Sequence, residues 1–492
     1  MMQKKYLILF FASLGTALFT IDLAVIAVSL PKMIGSFSAN KIEMAWIITV
    51  YSISTAVTIP CLGYLSKRVG RKNIYMIGII GFCIFSICSA LSFNLDQILF
   101  FRTMQGIFSA PLVALSQSII LDAFPERERG KAMSWWTFGL LFGPVIGPIL
   151  GGYLTEEYGW RLIFFINIPI GIPALIGSYL YIEEKQIDKN TSFSWLSFIL
   201  LALGAGSLQI ILDRGQIEDW FDSNLILILT FVAFISIFAF IILFILNYRT
   251  LFPRELFIDS NYLGGLVFVF LFGLILVPPF ILIPEFLSTL GNYPVDQIGL
   301  LLTFSGIGGM IGSLIAGRII SLGFDKTLMV TGLLVYMFAA FQMVAWNSSV
   351  SSFEIIINGL LRGLGIGVFY VGLATATYAS LPENFRDHGA SLFQFVRNFG
   401  SAFSVAIIGI ILDRYKKINI SELSARVNAN QSNKNLDTWN LDGLDSDTMN
   451  FVNIITNESL MISMLNVFFL LAIFPILFFP FLLLFKKNKL ED

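Results

Sequence analysis

Residues 6–30 read YLILFFASLGTALFTIDLAVIAVSL, an apolar run that contains a single charged residue, Asp22. About 20 mostly apolar residues are enough for a helix to cross the hydrocarbon core of a membrane. A helix is required there because hydrocarbon offers the backbone no hydrogen-bond partners. The run is too long for the apolar part of a signal peptide, and no cleavage site leads into a soluble domain. We therefore expect a first transmembrane helix that the protein retains.

The same pattern recurs along the whole chain. Of its 492 residues, 56% are hydrophobic and 13% are charged, whereas soluble domains carry about 25% charged residues. Apolar runs between charged segments predict an all-α membrane protein with fourteen transmembrane helices. The expected spans are 6–30, 44–65, 73–93, 97–121, 132–154, 162–182, 193–212, 224–246, 262–287, 297–317, 327–346, 352–380, 389–412 and 458–484.

Lysine and arginine accumulate in alternate connections between these spans. Two dense basic groups, within 67–72 and 127–131, fall on one side of the predicted membrane. The short loops of the other side hold only Lys32, Lys41, Arg161 and Arg214. Because short cytoplasmic loops carry the excess of positive charge, we expect an inner-membrane protein with both termini in the cytoplasm.

Two pairs of similar motifs indicate an internal repeat. Arg102 begins RTMQG in span 4 and Arg362 begins RGLGIG in span 12, while GYLSKRVGRK (63–72) has a weaker counterpart in GRIISLGFDK (317–326). Parallel repeats are typical of transporters. The expected domains are an N-terminal six-helix bundle (1–182), two inserted helices (183–255), spans 9–13 of a second bundle (256–412), an outer loop (413–457) and the last span with a cytoplasmic tail (458–492).

Asp22 is an acid inside an apolar span, where an ionised carboxylate is unfavourable unless it is paired or hydrated. Counting about 1.5 Å per residue from the span centres puts Asp22 about 6 Å and Arg102 about 10 Å to the outer side of the midplane. Similar depths allow the two side chains to meet. We hypothesise that Asp22 is the protonatable site and that Arg102 keeps it ionised until a proton or substrate competes. A permanent structural ion pair is the alternative.

Span 5 reads GLLFGPVIGPILGG from Gly139 to Gly152. Glycine at every fourth position gives a smooth face that a neighbouring helix can approach closely. We expect a close-packing helix with proline kinks, and a bendable element is the functional interpretation. The candidates for gating in this span are Gly139, Gly143, Pro144, Gly147, Pro148, Gly151 and Gly152.

Other residues are weaker candidates. The loop after span 2 supplies gating candidates, although a topology anchor explains its charges equally well; they are Gly63, Lys67, Gly70 and Arg71. In the second half, Glu285 and Arg362 are candidates for the substrate or proton pathway. Gln394 and Arg397 in span 13 fit helix packing better.

Several functions are excluded by what the sequence lacks. It has no phosphate-binding Gly-x-x-x-x-Gly-Lys-Ser/Thr loop, which disfavours ATP hydrolysis. One histidine, His388, and three cysteines in apolar stretches provide neither a metal cluster nor a catalytic site. A net charge of −1 leaves no basic surface for nucleic acid. We expect no catalytic residues, no metal and no enzyme activity.

These motifs resemble those of the major facilitator superfamily, and within it the fourteen-span drug:proton antiporters of the EmrB/QacA type. The resemblance covers nearly the whole chain and is weakest in 413–457. The similar segments are Asp22 to Pro31, 63–72, the span 4 motif with Arg102, Gln105 and Gly106, the antiporter motif 143–152, and 160–171 and 212–221. Lys67 stands where the family usually has Asp, and Pro148 where it usually has Gly.

The resemblance implies two six-helix bundles of the major facilitator fold with two inserted helices, a role for Gln105 beside Arg102, and alternating access to a central cavity. It implies export of hydrophobic or cationic small molecules in exchange for protons, with no cofactor beyond the proton gradient. Where the host has an outer membrane, it also implies a periplasmic adaptor and an outer-membrane channel. In the family, an Asp in the loop between spans 2 and 3 makes a charge contact that is attributed to gating. Lys67 stands at that position here, so this contact cannot form in its usual way.

Two other functions fit the same motifs. A dedicated exporter of an endogenous metabolite, such as a siderophore, would share all of them. A non-transporting membrane sensor or scaffold differs because it would move no protons when a substrate is added.

Overall fold

The computed structural model describes residues 2–185, 187–188, 193–246, 250–320, 325–431 and 446–485. These residues form helices and connecting turns, and no strand occurs among them. The helices are α1 (Met2–Phe37), α2 (Lys41–Thr58), α3 (Leu62–Val69), α4 (Arg71–Ala90), α5 (Leu95–Ala123), α6 (Glu126–Glu157), α7 (Leu162–Phe165), α8 (Asn167–Tyr181), α9 (Trp195–Arg214), α10 (Asn224–Ile245), α11 (Ser260–Leu276), α12 (Pro278–Thr289), α13 (Val295–Ile319), α14 (Asp325–Met343), α15 (Ser352–Tyr378), α16 (Arg386–Gln431) and α17 (Ser446–Ile473).

The described residues contain 14 helical segments that are long and apolar enough to cross a membrane, as the sequence predicts. Some segments join two helices, such as α2 with α3 and α11 with α12. An even number of crossings places the start of α1 and the last described residue, Phe485, on the same face of the bundle. We call this face the termini face. Lys5 pairs there with Glu128 at 2.5 Å, and Lys326 donates a hydrogen bond to the Phe485 carbonyl.

In the first half, α1 lies among α5, α6 and α8, and polar contacts fix its position. The Thr16 hydroxyl is 2.8 Å from that of Ser116 on α5, and the Ser29 hydroxyl is 2.6 Å from that of Thr155 on α6. These short side chains bridge helices without disturbing their close approach. On the face opposite the termini, Lys32 pairs with Glu156 at 2.8 Å.

The second half is packed through glycines. A Cβ at Gly363 on α15 would overlap the Ser305 carbonyl of α13, and one at Gly273 on α11 would overlap the Arg397 carbonyl of α16. The Tyr336 hydroxyl of α14 donates to the Ile275 carbonyl at 2.9 Å. Such backbone contacts hold α11, α13, α14, α15 and α16 together as a second bundle.

The inserted helices α9 and α10 lie beside both bundles. Arg214 at the end of α9 donates to the Ile42 carbonyl at 3.0 Å and stacks 4.1 Å above the Trp46 ring, which attaches α9 to the first half. Leu212 packs against Ala402 of α16 in the second half. The helix α10 is outermost, with Phe234 69% exposed, which suits a lipid-facing position.

Much of the predicted outer loop 413–457 is helical, since α16 continues as far as Gln431 and α17 begins at Ser446. Low hydropathy ended the predicted span, but a polar sequence without proline still forms a helix. The only glycine between 413 and 457 is Gly443, and Asp413 pairs with Lys417 one turn later at 2.8 Å. The central part of the predicted loop, the predicted tail after Phe485, and 321–324 of the repeated loop motif lie outside the described residues.

The glycine face of α6 packs against α1, as a close-packing helix requires. A Cβ at Gly143 would overlap the backbone of Thr20, and Gly139, Gly147 and Gly151 likewise contact α1. Gly152 is different, because nothing lies within 4 Å of the position that its Cβ would take. Of the five glycines predicted for gating in span 5, four therefore pack against α1 and one, Gly152, has open space around it.

We expect Gly143→Leu to destabilise the protein and Gly152→Leu to leave it nearly unchanged. Inserting a side chain into a packed contact costs about 1–3 kcal/mol or more, and here the obstacle is backbone that cannot rotate away. The measurement is the midpoint of thermal unfolding in detergent, with both variants purified in parallel. Equal midpoints for the two variants would contradict the packing that we describe.

Candidate functional site

Asp22 is the most deeply buried acidic residue that the structure describes, with an exposure of 3%. Both of its carboxylate oxygens accept hydrogen bonds. Arg102 Nη1 donates to Oδ2 at 2.7 Å, while Oδ1 accepts from Asn167 Nδ2 at 2.8 Å and from Gln105 Nε2 at 3.1 Å. We call Asp22, Arg102, Gln105 and Asn167 the Asp22 network. It joins α1, α5 and α8 within the first half.

Arg102 is fully buried and its guanidinium stacks 4.1 Å above the Tyr51 ring of α2. Its Nη1 also donates to Gln105 Oε1 at 2.6 Å. The remaining Nε and Nη2 atoms and the Tyr51 hydroxyl have no hydrogen-bond partner among the described residues. Because removing one partner of a buried ion pair leaves the other charge uncompensated, Arg102 and Asp22 depend on each other.

Asn167 lies in the segment 160–171, for which the sequence predicts no site residue. Asn167 starts α8, directly after the break at Ile166 that separates this helix from α7. Its Nδ2 also donates to the Ser86 hydroxyl at 2.8 Å, and Ser86 donates to the Phe164 carbonyl at 2.7 Å. An amide within an otherwise apolar span is the signal that could have identified it, because buried polar groups require partners.

The other pathway candidates do not join this network. Arg362 on α15 faces α14, where Nη1 lies 3.8 Å from Met343 Sδ, and it forms no ion pair with a described residue. Glu285 on α12 is exposed near the face opposite the termini. Of the three pathway candidates, the structure therefore brings only Gln105 to Asp22.

A second charged cluster joins the two halves at the termini face, and its centre is Asp122 at the end of α5. Asp122 accepts from Arg71 of α4 and from Arg386 at the start of α16, and Lys185 lies 2.5 Å away. Arg71 also pairs with Asp387 at 3.5 Å. We call these residues the Asp122 cluster; its side chains from α4 and α5 belong to the first half and those from α16 to the second.

The loop 63–72 contributes to the same contact between the halves. Gly63 lies against the His388 ring of α16, where a Cβ would overlap Nδ1. Lys67 Nζ lies 5.8 Å from the centre of the Phe385 ring, so this cation meets an aromatic ring directly before α16 of the second half. Gly70 has a φ of +102°, which glycine adopts readily, and the Glu184 carboxylate accepts from the Lys72 and Asn73 amides at 3.2 Å.

The helix α6 lies between the halves. The four packing glycines, from Gly139 to Gly151, face α1, while Val145 packs against Gly306 of α13 and Ser134 packs against Gly317. Pro148 approaches Gly299 on the same helix, and Pro144 is partly buried. The helix with two prolines therefore contacts the Asp22-bearing helix on one side and the second half on the other.

Comparisons with known proteins agree with this architecture. The family model described as the Major Facilitator Superfamily matches residues 12–292 and 263–416. The probable multidrug resistance protein EmrY of Escherichia coli (strain K12) is 30% identical over 470 residues, which cover 94% of this chain and 91% of EmrY. The multidrug export protein EmrB of Haemophilus influenzae is 28% identical over 419 residues, 85% of this chain and 82% of EmrB. The solved proton:xylose symporter XylE superposes with a TM-score of 0.59 at 17% identity, covering 97% of this chain and 96% of XylE.

Proposed function

Because the chain belongs to the major facilitator superfamily, we propose that it is a proton-coupled antiporter that exports hydrophobic or cationic small molecules by alternating access. The observation that carries the proposal is the Asp22 network. It holds one buried acid of α1 against one buried arginine of α5, at 2.7 Å. The similarity to multidrug export proteins over most of the chain supports the substrate class.

In the proposed cycle, Asp22 accepts a proton from the outer side. Protonation removes the negative charge that compensates Arg102, so the guanidinium must find other acceptors and the network rearranges. Asn167 and Gln105 both donate to Asp22 Oδ1 in the present state, which stabilises the ionised carboxylate. Neutralisation of Asp22 is thus the single change of charge that couples proton uptake to substrate release.

The Asp122 cluster and α6 would transmit this change between the two halves. Contacts of Asp122 with Arg386 and of Gly63 with His388 keep the halves together at the termini face. For a substrate to enter from that side, these contacts must separate. Alternating access requires two arrangements of the halves, and an ion-pair cluster at one face is a suitable element to stabilise one of them.

The remaining features follow from this proposal. The termini face is the cytoplasmic face of the inner membrane, in agreement with the distribution of basic residues. The proton gradient supplies the energy, without a cofactor, and the protein is not an enzyme. A periplasmic adaptor and an outer-membrane channel are the partners that we propose for a host with an outer membrane, and copurification from such a host is the test.

The experiment is substrate-dependent proton movement in proteoliposomes that contain a pH-sensitive dye. We expect addition of a hydrophobic substrate to collapse an imposed proton gradient faster than in empty liposomes. No proton movement with any compound of a broad panel would favour the sensor or scaffold. An exporter of an endogenous metabolite would respond to extracts of its host and not to the drug panel, and a deletion strain would accumulate that metabolite.

A further inference from the structure

Arg397 is a buried cation to which the proposed mechanism assigns no role. It lies eleven residues after the start of α16, about 16 Å along the helix axis from the termini face. Its exposure is 8%, it forms no ion pair with a described residue, and its hydrogen bond to Asn398 Oδ1 is long at 3.4 Å. Burying a guanidinium without an acid is energetically costly. The position of Arg397 therefore calls for an anionic partner that the described residues do not provide.

Its surroundings come from both halves of the protein. Gln117 of α5 accepts hydrogen bonds from Gln394 Nε2 at 2.9 Å and from the Tyr378 hydroxyl at 3.2 Å. Tyr370 of α15 lies beside Arg397 and Gln394. We call Gln117, Tyr370, Gln394 and Arg397 the Arg397 cluster. Because it spans the junction of the two bundles, it opens when the halves separate.

The hydrogen-bonding groups of the cluster are not all satisfied. Gln117 Nε2 is a donor without a partner among the described residues, and the Tyr370 hydroxyl interacts with Arg397 and Gln394 of the same cluster. Arginine offers five donors and no acceptor. The donors therefore exceed the acceptors at this junction, as expected for a site that binds a carboxylate or a similar anion.

Aromatic rings surround the same place. The Trp136 ring of α6 stacks on Tyr370 with centroids 6.1 Å apart, and the Phe272 ring lies 4.5 Å from Tyr370. The Phe393 ring of α16 also contacts Tyr370, with ring centroids 6.3 Å apart. Polar donors enclosed by apolar rings fit an amphiphile that has one charged group and a hydrophobic body.

Two buried arginines of the second half, Arg362 and Arg397, form no ion pair with a described residue, and their positions differ. The Arg362 guanidinium faces Met343, within the bundle and away from the first half. Arg397, in contrast, lies with Gln394 and Tyr370 where Gln117 of the first half arrives. Only Arg397 is therefore placed to meet a compound that moves between the halves.

We propose that the Arg397 cluster binds the anionic group of the exported compound, so that hydrophobic monoanions such as aromatic carboxylates are preferred over cations. This inference rests on the proposed export function and specifies its substrate class. Exchange of one monoanion outward for one proton inward transfers two charges across the membrane. An inside-negative membrane potential therefore drives both movements in the productive direction.

The test compares two probes that share a hydrophobic body and differ in charge, pyrenebutyrate and the corresponding pyrenylbutyl-trimethylammonium, by fluorescence anisotropy with the purified full-length protein. We expect the carboxylate to bind more tightly to the wild type. Arg397→Gln should weaken its binding about tenfold to a hundredfold, since it removes a charge-assisted hydrogen bond, and should leave the cation unchanged. Arg397→Lys should recover part of the affinity.

Equal affinity of the wild type for the two probes, or an equal loss of both in Arg397→Gln, would overturn the inference. Tyr370→Phe is a second variant, which keeps the ring packing and removes one hydroxyl donor, so it tests the site if Arg397→Gln does not fold. It too should weaken only the binding of the carboxylate. Binding in detergent needs no transport. A failure of the inference is therefore distinguishable from failure of the export function, which the proteoliposome experiment measures.

Discussion

Proteoliposomes that contain the Asp22→Asn variant should not accumulate substrate against its gradient when a proton gradient is imposed, although the variant folds. Asparagine keeps the size of the side chain and can still accept from Arg102, but it cannot take up and release a proton. It also leaves the Arg102 charge without its counterion at 2.7 Å. Uphill accumulation should therefore fall to the level of empty liposomes.

The matched control is Asp213→Asn, the same chemical change on the inserted helix α9. Asp213 is partly buried and accepts from Gln209 at 3.2 Å, so it too is a hydrogen-bonded carboxylate in an apolar helix. Asp213 lies outside the Asp22 network. We therefore expect proteoliposomes with the Asp213→Asn variant to accumulate substrate as the wild type does. If Asp22→Asn accumulates substrate at the wild-type rate, the Asp22–Arg102 pair is a structural contact and does not couple transport to protons.

Asp122→Asn should separate the two halves at the termini face. Without this acid, Arg71, Lys185 and Arg386 repel one another. The acids that pair with them among the described residues are then Asp387, 3.5 Å from Arg71, and Glu383, 3.1 Å from Lys185. Breaking a buried ion pair by removal of one partner costs about 3–5 kcal/mol. A change of that size shifts a two-state equilibrium by roughly a hundredfold or more.

The measurement is the distance distribution between spin labels at two exposed positions of the termini face, one on each half: Glu126 at the start of α6 and Asn384 just before α16. The three native cysteines are first replaced. We expect the wild type to populate the short distance and Asp122→Asn the longer one. Asp122→Glu should return the population toward the short distance.

Asp96→Asn provides the comparison for this experiment. Asp96 is exposed in the first turn of α5, at the other end of the helix that carries Asp122. The same change of charge there should not alter the distance distribution. If Asp96→Asn and Asp122→Asn shift it alike, the effect comes from the net charge of α5 and not from the Asp122 cluster.

The Asp122 cluster also accounts for the unusual Lys67. The family pattern places an acid in this loop, and the sequence therefore predicts that the usual contact is lost. The structure shows that Lys67 lies over the Phe385 ring, while Arg386, the next residue, reaches Asp122. The link between the halves is thus made by an acid at the end of α5.

The sequence alone determined the fourteen spans, because crossing a membrane depends on the length and hydropathy of a continuous segment. It also determined that Asp22 and Arg102 lie at similar depths, since the rise per residue of a helix is fixed. Both are properties of single helices. They require no knowledge of which faces the helices turn toward each other.

Only the tertiary structure decided which side chains meet, because helix rotation and packing set these contacts. Asn167 joined Asp22, whereas Glu285 remained exposed. The polar segment after 412 continued as helix, since hydropathy reports on the solvent of a helix and not on its backbone conformation. A pattern along one helix does not identify contacts with neighbours that are far away in the sequence. Such contacts define the four glycines that pack against α1, the acid that links the halves, and the position of Arg397 beside Tyr370.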